Sequence, residues 1–122
     1  MLPDRIETEL RRYEELLPGW DGPRSPAIFA AALADTRAFL TALPRIPDDL
    51  EPCPHGDGGV GLDMNEGDVW VNILFYGEGQ IAYYATNGET VARGTAPFSA
   101  AAPTVPPDLA AFLATISRAV EG

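Results

Sequence analysis

Lysine is absent from this 122-residue chain, cysteine and histidine occur once each, and no arginine lies between Arg45 and Arg93. The single Cys53 excludes an internal disulfide and suits a reducing compartment. One Cys and one His cannot complete the usual four-ligand set of a structural zinc site. No run reaches the ~18 apolar residues that a membrane-crossing helix needs. The opening Met1-Leu2-Pro3-Asp4-Arg5-Ile6-Glu7 is amphipathic and charged, where a secretory leader has a basic start followed by an apolar run. These shortages predict a cytoplasmic domain with no membrane contact, no cofactor and no metal.

What is present is acid. The chain carries 18 Asp and Glu against eight Arg, a formal charge of −10. Up to Arg45 seven acids face six arginines, and from Arg93 onward two face two. The middle holds the other nine: Asp48, Asp49, Glu51, Asp57, Asp63, Glu66, Asp68, Glu78 and Glu89. A one-sign block of this length attracts cationic surfaces and repels nucleic acid and anionic membranes. A solvated surface that keeps the protein soluble is the competing reading. The complete loss of Arg, in a chain that uses it freely elsewhere, favours a negative binding face at least equally. The length and the 46% hydrophobic content suit one domain with one core.

Ile6, Leu10, Tyr13 and Leu17 recur at helical spacing and predict a half-buried first helix, ended by Pro18-Gly19. Ser25 as N-cap and Pro26 at the first helical position open a second helix, with Phe29, Leu33, Thr36, Leu40 and Leu43 on one face. The stretch from Pro44 to Pro54 has four prolines and reads as an extended connection, not a helix or central strand. Alternation then takes over, at Val60-Leu62-Met64, Val69 to Tyr76, Ile81-Tyr83-Ala85 and Thr90 to Thr95. Hairpins are expected at Asn65-Glu66-Gly67, Gly77-Glu78-Gly79 and Asn87-Gly88. After an Ala-Pro-rich connection, Asp108 caps a last helix that buries Leu109, Phe112, Leu113, Ile116 and Val120. The predicted fold is α+β: two helices, a four-stranded antiparallel meander and a C-terminal helix. Trp70, Leu74 and Tyr76 sit opposite the Val-Ile-Phe face of their strand. Coverage of both sheet faces is the preferred reading, because soluble monomers rarely expose large apolar patches. The alternative is an exposed aromatic patch beside the acidic loops.

Leu17-Pro18-Gly19-Trp20-Asp21-Gly22-Pro23-Arg24-Ser25-Pro26 is the most distinctive segment. Trp20-Asp21-Gly22, Ser25-Pro26, Leu43-Pro44 and Gly58-Gly59-Val60 together resemble a group of small uncharacterised bacterial and phage proteins, and the likeness covers about the first two thirds of the chain. The resemblance implies no activity. Physically, Trp20 anchors the turn on the core, Asp21 accepts backbone N–H groups and Gly22 supplies the turn conformation.

Other motifs are weaker. Cys53-Pro54-His55-Gly56-Asp57 crowds a thiol, an imidazole and a carboxylate, but a thiol nucleophile there lacks an orienting third group, so it reads as a loop before a strand. Gly56-Asp57-Gly58-Gly59-Val60-Gly61 precedes a strand and carries an acid, unlike a phosphate cradle. Asp63 to Asp68 has oxygen ligands at alternate positions, yet Leu74 stands where a calcium loop closes with an acid.

The reading that results is a non-enzymatic interaction protein. It would present Asp48, Asp49, Glu51, Asp57, Asp63, Glu66 and Asp68, with Trp70 and Tyr76 as aromatic anchors, to a basic protein surface such as that of a nucleic-acid-handling enzyme or a toxin. Its physical profile is that of phage-encoded inhibitors of bacterial defence (anti-CRISPR proteins among them), antitoxins and immunity proteins. Direct nucleic-acid binding is disfavoured by charge. Two alternatives remain: a ligand-binding or catalytic pocket lined by Tyr13, Trp70, Tyr83 and Tyr84, and a structural subunit or homodimer joined through Trp70, Leu74 and Tyr76.

Overall fold

A computed structural model describes the backbone of residues 2–121 and the side chains of residues 2–116. The order is α1 (Asp4–Glu14), α2 (Ala30–Ala42), β1 (Glu51–Pro54), β2 (Val60–Glu66), β3 (Val69–Phe75), β4 (Gln80–Thr86), β5 (Val91–Pro97) and α3 (Pro107–Glu121). The class is α+β as the periodicity predicts. The sheet, however, has five strands, all antiparallel, in the order β1-β2-β3-β4-β5.

The extra strand is β1, inside the proline-rich link. Pro52 and Pro54 are two residues apart, so both missing N–H groups fall on the same side of the strand. An edge strand tolerates that arrangement where a central strand does not. The carbonyl of Pro52 accepts the Tyr13 hydroxyl at 3.0 Å, which ties α1 to this edge. Arg5 donates to the carbonyls of Leu50 and Pro47 at 2.9 and 3.3 Å, fixing the turn that leads into β1.

The second helix starts four residues later than its sequence signals suggest. Ser25 does not cap it. Its hydroxyl donates to Gly22 O at 2.9 Å and accepts the Asp21 amide at 3.0 Å, so it closes the interhelical turn. Phe29 then donates its amide to Gly58 O at 2.9 Å and the residue is 38% exposed. Leu17, expected inside, lies beyond α1 and is 75% exposed. Pro18 disfavours helical backbone at the residue before it, so the helical pattern cannot continue to Leu17. The last helix opens two residues early, with Pro107 at its first position, so Asp108 sits in its first turn and does not cap it. Val120 lies outside the described side chains.

Glycines with positive φ serve several of the turns, the β2–β3 hairpin among them. Gly67 has φ +58° as the first central residue of the β2–β3 hairpin, which a primed turn requires. Asn87-Gly88 does mark a hairpin, but a four-residue one. Asn87 Oδ1 accepts the amides of Glu89 and Thr90 at 2.9 and 2.8 Å, a side-chain turn that shapes the loop.

The core lies between the helices and one sheet face. Val60, Leu62, Val71, Ile73, Phe75 and Ile81 are buried there with Ile6, Leu10, Leu33, Leu40, Leu109 and Leu113. Phe39 of α2 meets Phe75 and Phe98 with ring centroids 5.4 and 5.6 Å away. Phe98 follows β5 and was not singled out from the sequence, although it is the one large ring in an Ala-Pro link. α1 packs on β1, α2 on β2 and β3, and α3 on β4 and β5. Among the described residues all three helices lie on this one side. The expectation that both faces are covered therefore fails, and the opposite face is open.

Candidate functional site

Strand alternation and register decide which side chains share the open face. Glu51 pairs with Asp63, Asp63 with Asn72, Asn72 with Tyr84 and Tyr84 with Arg93, forming one strip across the sheet. Its β1–β2 end is acidic and its β5 end is basic. The neighbouring strip runs through Asn65, Trp70, Thr86 and Val91. Trp70 is 52% exposed and tilts against Tyr84, with ring centroids 5.4 Å apart. Asn72 donates its side-chain amide to Asp63 Oδ1, which orients that carboxylate.

At the acidic end lies a depression of about 500 Å³, lined by Asp49, Glu51, Pro52, Cys53, Asp63, Met64, Asn65, Glu66 and Trp70. It brings together Asp49, Glu51, Asp63, Glu66 and Trp70, five residues singled out from the sequence as partner-binding. The other four are elsewhere. Asp57 and Tyr76 bind each other, the phenol donating to the carboxylate at 2.9 Å. Asp57 also accepts the Gly59 amide at 3.3 Å, so its role is to shape the loop before β2. Burial, then the bond to Asp57, pushes the Tyr76 phenol above its ordinary value. Asp68 sits in the β2–β3 turn beside Gly88, and Asp48 is exposed in the turn held by Arg5.

The helix acids are used differently. Arg37 reaches Glu7 at 3.1 Å and Glu14 at 2.7 Å, tying α2 to α1, and Arg12 pairs with Glu9 at 2.6 Å. Burial pushes Glu7 upward, but hydrogen bonds and charge from Arg37 and Arg11 outweigh it and hold the carboxyl below its ordinary value.

A second cluster forms one wall of the same face. Cys53 Sγ, a ring nitrogen of His55 and an Asp63 carboxylate oxygen lie within 4.8 Å of one another. The tight loop after β1 makes this possible: His55 donates its amide to Gly59 O at 2.9 Å, and Gly58 donates to His55 O at 3.0 Å. The imidazole then folds back over Gly61. A β-carbon on Gly61 would stand 2.7 Å from His55 Nε2 and 3.6 Å from Asp63 Oδ2, so the missing side chain is what makes room. His55 Nε2 is buried and has no hydrogen-bond partner. Burial, then the charge of Asp63, pushes the Cys53 thiol above its ordinary value, the opposite of an activated nucleophile. The sequence offered Cys53 and His55 but not Asp63, because the prolines concealed the strand that sets Cys53 beside it.

The pocket expected from Tyr13, Trp70, Tyr83 and Tyr84 does not form. Tyr13 is buried on the helix side, where Tyr83 also points and donates to Asp108 Oδ1 at 2.9 Å. Trp70 and Tyr84 are on the open face. Among the described residues no helix is long and apolar enough to cross a membrane. Compared with protein-family models, curated proteins and solved structures, the chain matches none.

Proposed function

We propose that this protein is a non-catalytic binding module that docks the open face of its sheet on a basic protein surface. The observation that carries the reading is the placement of four carboxylates, Asp49, Glu51, Asp63 and Glu66, around one depression with the half-exposed Trp70 on its wall. The acids select a cationic partner and steer its approach, and the indole supplies apolar contact once water is excluded. Trp70 also offers a ring face to an incoming guanidinium or ammonium group. A surface built to bind phosphate, as in a nucleic-acid-handling enzyme or a toxin, has the complementary chemistry. Covering such a surface would inhibit it.

The test is affinity capture from cells with the wild-type protein and with an Asp49→Arg, Glu51→Arg, Glu66→Arg triple variant, followed by binding of the purified partner across a salt series. A basic partner, lost by the variant and weakened by salt, supports the reading. A partner that is acidic, or that binds both proteins equally at every ionic strength, overturns it.

A further inference from the structure

We propose that Cys53 Sγ, His55 Nε2 and an Asp63 carboxylate oxygen form a three-ligand site for a transition-metal dication, zinc in the first instance, with its fourth position open on the outer face of the sheet. The argument starts from the orphaned nitrogen. A buried polar atom without a partner is uncommon in a folded protein and calls for an explanation. Here Nε2 is buried and unpartnered, and a thiol and a carboxylate lie beside it. A metal ion would satisfy Nε2 and draw in the other oxygen of Asp63 and the thiol, whose present donation to Pro54 O at 3.7 Å is weak.

The donor set selects the ion. Thiolate and imidazole suit zinc, cobalt, nickel and copper, whereas magnesium and calcium take oxygen ligands. Three protein ligands with a fourth position left to water is a coordination that zinc adopts in open sites. Donors around a tetrahedral zinc stand ~3.5 Å apart, as follows from bond lengths of about 2.0–2.3 Å. The present spacing, up to 4.8 Å, closes to that with a movement of about an ångström, and the exposed Cys53 on an edge strand is free to make it.

The surroundings fit as well. Asn72 holds Asp63 Oδ1, while Oδ2 faces the same space above Gly61 as His55 Nε2. That is the outer-shell support a ligating carboxylate usually has. On binding, Cys53 loses its proton to solvent and the S–H bond is replaced by S–metal, with no change of oxidation state. The thiolate and Asp63 then balance the dication, so the loaded site is neutral and removes one negative charge from the depression.

The experiment uses tag-free protein stripped with a chelator and titrated with cobalt(II), then with zinc(II). The expected result is a thiolate-to-cobalt charge-transfer band with tetrahedral-type visible bands, saturating at one equivalent, displaced by zinc and untouched by excess magnesium. Cys53→Ser abolishes the charge-transfer band with the circular dichroism spectrum unchanged. His55→Ala weakens binding by at least about tenfold. Gly61→Ala does the same without deleting a ligand, because its methyl group displaces the imidazole. An Asp49→Gln, Glu51→Gln, Glu66→Gln variant keeps the bands, so failure of this site and failure of the docking face are separable. Absence of the charge-transfer band in the wild type overturns the proposal. So does equal affinity in the wild type, Cys53→Ser and His55→Ala, which would place the ion on surface carboxylates.

Discussion

Replacing Trp20 with Ala separates the turn's part in folding from any part in binding. The indole is partly buried against the core and donates Nε1–H to Pro26 O at 3.0 Å, which ties the residues after α1 to the chain entering α2. A partly buried indole removes roughly 150 Å² from water, worth about 4 kcal/mol at 25 cal/mol per Å². An extended reference chain overstates burial by up to about a third, so the expected loss for Trp20→Ala is near 3 kcal/mol. For a chain of this size that lowers Tm by about 10 °C. Trp20→Phe keeps an apolar ring and loses only the donor, so it should cost about 1 kcal/mol and a few degrees. Calorimetry reads Tm, and urea unfolding with an unchanged m-value confirms that the native state alone was affected. If Trp20→Ala melts within a degree or two of wild type, the turn does not dock on the core as argued. Lost binding at unchanged Tm would make Trp20 a contact residue.

Arg37→Met should destabilise by on the order of 1 kcal/mol near neutral pH, because it releases Glu7 and Glu14 together on partly exposed ground. The folded value of Glu7 is depressed below its ordinary 4.5, so its stabilisation is present above that pH and is lost as pH falls through the folded value. Urea unfolding across the acid range should therefore show a shallower loss of stability in Arg37→Met than in wild type. Asn87→Ala removes the acceptor for two loop amides and should cost about 1–2 kcal/mol, with faster hydrogen exchange confined to residues 86–91. Trp70→Ala should cost at most about 1 kcal/mol of folding stability, the value of its ring contact with Tyr84, while raising the partner's dissociation rate by about 30-fold and leaving salt dependence intact.

The class of fold was legible because its signals are periodic. Ile6, Leu10 and Tyr13 mark α1, and alternation from Val60 to Ala85 marks three strands with glycine-bearing turns. The misreadings share one cause: a residue type with two structural uses was assigned to the commoner one. Prolines at 52 and 54 argue against a strand, yet an edge strand accepts them two apart. Ser25 before Pro26 is a strong helix start, but its hydroxyl is taken by the turn behind it. The candidate site was half legible for the same reason. Composition identified the acids, but only register shows that Glu51 faces Asp63 while Asp57 turns to Tyr76. Cys53, His55 and Asp63 become neighbours only once β1 is known to be a strand.

The central claim is that the acids around Trp70, and not acidity in general, recognise cations. Nuclear magnetic resonance of the labelled protein titrated with an arginine-rich peptide tests it most directly, since every acid on the chain competes for the same probe. Shifts should concentrate on Asp49, Glu51, Asp63, Glu66 and the indole of Trp70, and should fade as salt screens the charges beyond about 8 Å. Glu7, Glu9 and Glu14, already paired with arginines, should move little. Shifts spread evenly over the helix acids and the sheet, or absent at Trp70, would contradict the account and leave the acidic block as a means of staying in solution.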